Sequence, residues 1–282
     1  MIEELFRIER RLERAPPIDP RDDPRDMDEL FNAALMETDE VVAWNAVSAL
    51  HWRGSREVFE RAAALGRSAC SIERRIGADV LAQLGVPERT FPYECETVLL
   101  AMLERENDAD VQQTILLALS HVSGERTIAA SLAYTSHSDE NIRYAVVHCL
   151  TGCTEPAAIN ALIRLTCDPD SDVRDWATFG LGSLMDLNSP AICDALFNRL
   201  DDEDRHTRCE ALVGLAMRHD RRAIAAIQKE LAGEMVGLLA VEAAELMGAP
   251  ELLPHLRALK NDWETDAASV LQSAISACTP RP

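Results

Sequence analysis

A triplet of residues spaced four apart, introduced by an acid-rich turn, recurs along almost the whole chain. Its best-formed copy is DPDSDVRDWATFGLGSL, where Asp170 precedes Val173, Ala177 and Leu181. The same positions hold Val42, Ala46, Leu50; Glu73, Gly77, Leu81; Val111, Ile115, Leu119; and Ile142, Val146, Leu150. They continue with Thr207, Ala211, Leu215; Val236, Ala240, Ala244; and Ala267, Leu271, Ile275. The last members stand 31, 38, 31, 31, 34, 29 and 31 residues apart, room for two short helices and their turns. Four-residue steps place the triplet on one helical stripe. A single hairpin cannot bury such a stripe, so neighbours must stack.

Three residues before each triplet stand Asp39, Cys70, Asp108, Asp139, Asp170, Asp204, Gly233 and Glu264. Aspartate there caps the free amides of a helix and suits the positive end of its dipole. Partner helices with their own apolar rhythm lie between, among them 58–65, 94–103, 157–165 and 223–231. Apolar residues make up 47% of the chain and aromatics only 5%, as close helix crossings require. The expected fold is all-α, a right-handed α-solenoid (α-α superhelix) of about eight stacked helical hairpins over residues 28–278. Residues 1–15 read as an amphipathic helix, and the Pro/Asp-rich stretch 16–27 reads as a linker.

The pattern D-x-x-V-R-x-x-A-x-x-x-L resembles HEAT repeats, in particular the HEAT-like repeats of phycobilin lyase subunits. That resemblance implies a second helix facing a concave side, and Arg residues linking successive repeats. Arg74, Arg143, Arg174 and Arg208 match the Arg position, whereas Ala43, Gln112, Gly237 and Ala268 replace it elsewhere. It also admits a phycobilin-lyase-like subunit, another HEAT-repeat enzyme, or a scaffold subunit of a larger assembly.

The formal charge is −20, from 28 basic and 48 acidic residues. Such a surface repels nucleic-acid phosphates and anionic membranes and favours a basic protein partner. The N-terminus is too charged for a secretory signal, and no apolar run reaches the roughly 18 residues of a membrane span. A cytoplasmic location is expected, with the eight cysteines reduced and mostly buried.

Positions two, six and nine beyond the first triplet residue fall opposite the apolar stripe. They carry aromatic and apolar groups where solvent would select polar ones: Trp44, Leu117, Tyr144, Phe179, Val213 and Leu238. Asp79, His148, Asp175 and Glu242 complete the expected partner-binding face, taken to be the concave one. The expected function is a non-catalytic protein-binding module, with an inhibitor or immunity-type protein as its sharper form.

Other constellations favour plain readings. Asp168, Asp170 and Asp172 share the opening spacing of a calcium loop, but Val173 and Phe179 stand where Gly and Glu are needed. HCLTGC offers His148, Cys149 and Cys153 without a second ligand cluster. The run from Asp201 to Asp204 reads as a solvated capping segment. No nucleophile, phosphate-loop or dinucleotide motif occurs, so no catalytic residue, metal or cofactor is assigned.

Overall fold

The computed structural model describes residues 19–122, 124–259 and 268–280, all in helices, turns and loops. The N-terminal helix expected at 1–15, and the triplet and cap positions Ala267 and Glu264, lie outside the described residues. Among the described residues sixteen α-helices follow in eight hairpins. They fall into two compact units that divide at Gly124.

The first unit holds α1 (Met27–Met36), α2 (Glu40–Arg53), α3 (Arg56–Leu65), α4 (Ser71–Ala82), α5 (Pro92–Leu103) and α6 (Ala109–Ser120). The second holds α7 (Glu125–Ser131), α8 (Glu140–Leu150), α9 (Pro156–Leu165), α10 (Ser171–Gly182) and α11 (Pro190–Phe197). It continues with α12 (Arg205–Met217), α13 (Ile224–Leu231), α14 (Leu238–Met247), α15 (Leu253–Leu259) and α16 (Ala268–Cys278). Each odd-numbered helix packs on the even-numbered one that follows it. The even-numbered helices also stack side by side, α2 on α4 on α6 in one unit, and α8 through α16 in the other.

The triplets build these stacks. Leu50, Leu81, Val111, Ile115, Leu119, Ile142, Val146, Leu150, Val173, Ala177, Leu181, Ala211 and Leu215 are all fully buried. The edges depart from the pattern. Val42 is exposed in the first hairpin. Val236 precedes α14, whose N-cap is Gly237 rather than the expected Gly233. The expected aspartates do cap: Asp39, Asp108, Asp139, Asp170 and Asp204 each accept a backbone amide at the start of an even-numbered helix. Each such bond contributes about 1 kcal/mol.

Residues 19–26, expected within the linker, are packed rather than free. A short 3-10 turn at Pro20–Asp22 lies against α2, Asp23 is buried, and Arg53 donates to the carbonyls of Asp23 and Arg25 at 3.1 and 2.6 Å. Two glycines let α10 and α12 of the second unit cross closely. A Cβ on Gly214 would lie 2.6 Å from the Gly182 Cα, so α10 and α12 meet backbone to backbone.

Candidate protein-binding face

Three of the four matching arginines share one geometry, and Arg208 keeps only its inner half. Arg143 forks onto Asp168 of the next hairpin with two bonds of 2.7 Å, and its third nitrogen donates to the carbonyls of His137 and Ser138 at 2.8 and 3.2 Å. Arg174 forks onto Asp202 at 3.2 and 3.1 Å and donates to the Asp168 and Pro169 carbonyls at 2.9 and 3.1 Å. Arg74 does the same with Glu106 at 2.6 and 2.9 Å. Arg208 holds its own loop through Asp202 O at 2.7 Å, but reaches Glu230 only at 3.4 Å.

In the second unit these bonds run from one hairpin to the next, since Asp168 receives Arg143 on its carboxylate while its carbonyl receives Arg174. Each acid also accepts the amide of the helix cap two residues on, as Asp168 does from Asp170 at 3.0 Å and Asp202 from Asp204 at 3.0 Å. The supposed calcium spacing is therefore one ladder acid followed by a helix cap. Gln112, standing where Arg is missing, keeps the inner contact by donating to Glu106 O at 2.8 Å. These pairs are buried and bidentate, the geometry in which an arginine fork fixes the register of neighbouring elements.

With their stripes and ladders facing inward, the even-numbered helices turn the remaining side outward. In the first unit this side carries Trp44, 51% exposed and set edge-on to His51 at 6.3 Å, with Leu117 half-buried. Asp79 is half-buried too, and burial pushes its carboxyl up to about 6 although Arg75 pulls it back.

The second unit gathers more. Tyr144 and His148 on α8 lie 4.7 Å apart, and both meet Trp176 on α10, at 5.8 and 4.6 Å. Trp176 in turn stands edge-on to Phe179 at 5.6 Å. Asp175 adjoins this ring cluster, and its charge acts on Tyr144 and on Glu210 of α12. Burial raises Asp175 to about 6, with Asp204 adding to the rise and His206 opposing it. Burial raises Glu210 on α12 to about 7, helped by the negative charges of Asp175 and Glu242 and resisted by the Ser183 hydroxyl, which donates to it at 3.3 Å. The Asp175 Oδ1 and the Trp176 Nε1 are both buried without a hydrogen-bond partner. Such orphaned groups are costly unless something else satisfies them.

Three expected members are not among these rings. Val213 is buried, because α12 is flanked by α10 and α14 and its side chain is covered between them. Leu238 is half exposed at the first residue of α14, and Glu242 is exposed one turn further along. Trp176 and Glu210 are the members that pattern reasoning misses. Both sit three beyond the first triplet residue, a position that elsewhere holds Asn45, Ile76, Thr114, Ala145 and Leu239. A tryptophan and an acid at a register position that elsewhere holds smaller, uncharged residues are the signal.

Residues 96–182 and 165–234 match the sequence profile of HEAT repeats. These are HEAT repeats. The chain is 26% identical over 258 residues to protein YibA of Escherichia coli strain K12, covering 88% of this chain and 89% of YibA, and the O157:H7 protein matches equally. The X-ray structure of YibA superposes with a TM-score of 0.76 at 24% identity, over 90% of this chain and 92% of that one. An engineered protein superposes with a TM-score of 0.50 at 17% identity, over 89% and 77%. The likeness fixes an α-solenoid class of fold. Within the HEAT repeats the arginine ladder runs through the loops, and the aromatic cluster joins α8 to α10 apart from it. Among the described residues no helix is long and apolar enough to cross a membrane.

Proposed function

We propose that this protein is a non-catalytic HEAT-repeat binding module that holds a basic protein partner on the outward side of its even-numbered helices. One observation supports the reading above others: the rings of Tyr144, Trp176 and Phe179 cluster with Asp175, whose charge is felt by Glu210 on α12, and neither carboxyl is in an ion pair among the described residues. Aromatic anchors beside uncompensated acids are what a basic protein surface can bury against. With a formal charge of −20, long-range attraction would speed the encounter. An inhibitor or immunity-type protein that masks a basic enzyme would use both features.

Affinity capture with the full chain, followed by reconstitution of the purified pair, tests the reading. The expected result is a stoichiometric partner with an isoelectric point above neutrality, released by salt and lost in Trp176→Ala and Phe179→Ala. A partner that binds equally well to both variants places the interface elsewhere. An acidic partner overturns the charge argument.

A further inference from the structure

The chain itself shows how it handles a ring next to a carboxylate. Arg56 lies over Phe91, its guanidinium carbon 3.7 Å from the ring centroid, and pairs with Glu94 at 3.3 Å. Arg61 lies over Phe31 at 4.4 Å and pairs with Asp28. Arg222 lies over Phe197 at 4.8 Å and pairs with Asp194 at 2.7 Å. In each case a flat cation spans an aromatic face and an acid, the two surfaces a guanidinium satisfies at once.

The cluster on α8, α10 and α12 has the same two surfaces without the cation. Among the described residues no guanidinium lies over Tyr144, Trp176 or Phe179. The nearby ladder arginine Arg174 is committed to Asp202. The Asp175 Oδ1 is left without a donor.

We infer that this cluster is a receptor for one arginine side chain of the partner, stacked on the Trp176 and Phe179 rings and forked onto Asp175 and Glu210. The inference rests on the binding-module reading and names the chemistry of its central contact. Arginine fits better than lysine because its planar head stacks and presents several donors to two acids, whereas an ammonium is a compact point charge.

The test uses the full chain and three small probes: N-acetyl-arginine methylamide, its neutral isostere N-acetyl-citrulline methylamide, and N-acetyl-lysine methylamide. The readout is the indole N–H resonance of Trp176, assigned among the four tryptophans by Trp176→Phe. The arginine probe is expected to shift this resonance saturably, with citrulline inert and lysine weaker. Asp175→Asn and Glu210→Gln, both isosteric, should each weaken binding about tenfold, since each removes one charged acceptor. Retained circular dichroism shows that the variants fold.

Equal shifts from arginine and citrulline overturn the inference, as do tighter binding of lysine or unchanged binding in both variants. The two readings separate cleanly. A partner that binds but is not displaced by the arginine probe keeps the module and removes the arginine receptor. A probe that binds when no basic partner exists does the reverse.

Discussion

Asp175 and Glu210 hold protons in the folded chain that they would release when unfolded. Their carboxyls sit at about 6 and about 7, raised from the ordinary range first by burial. Between pH ~4 and ~7 the native state therefore binds more protons than the unfolded one, so stability falls as pH rises through that window. Asp175→Asn and Glu210→Gln remove this loss. Each should stabilise the protein by about 1–3 kcal/mol at pH 8 and leave it unchanged at pH 4, measured as melting temperature against pH. Asp79→Asn should act likewise in the first unit, because burial raises that carboxyl to about 6 as well. If the proposed interface is right, the gain in stability comes with a loss in partner binding, the trade expected of acids kept for function.

At the scale of the helix and its loops, the arginine ladder dominates. Arg143 and Asp168 are 10% and 5% exposed, so removing either leaves a buried charge without its partner. Arg143→Ala should cost about 3–5 kcal/mol in denaturant unfolding, whereas Arg61→Ala, facing an exposed Asp28, should cost under about 1 kcal/mol. Arg218 is a second clamp that pattern reading does not reach. It donates to five carbonyls, of Leu181, Gly182, Met185, Leu187 and Gly214, at 2.7 to 3.0 Å. Lysine has too few donors to replace it, and Arg218→Lys should lose about 2 kcal/mol or more. The period, the aspartate caps and the arginine register were legible because each repeats at fixed spacing. The acids that receive the arginines were not, although Glu106, Asp168 and Asp202 each stand two before a cap. In other repeats that place holds Glu37, Ser68 and His137, all of which accept the same cap amide. Different side chains serving one backbone bond leave no residue signature. Trp176 and Glu210 escaped for a related reason: position three beyond the triplet start lies at the stripe's border, and the rotation of each helix about its axis decides whether it faces in or out.

For the molecule as a whole, charge and spacing act together. A formal charge of −20 predicts that association with a basic partner slows at least about tenfold between low and physiological salt, while dissociation changes little. Stopped-flow mixing at several ionic strengths measures both rates. The spacing of the second unit's layers is fixed where Gly182 and Gly214 touch, and a Cβ on Gly182 would also come within 3.3 Å of the Glu210 carbonyl. That contact brings α10 and α12 backbone to backbone, with the Glu210 side chain beside it on Ser183. Gly214→Ala should wedge the layers apart, hydrate Glu210 and bring its carboxyl back toward ordinary acidity, as carbon-detected titration of that side chain would show. By the same geometry any load that bends this unit changes how many protons it carries, so its flexing is transduced into charge.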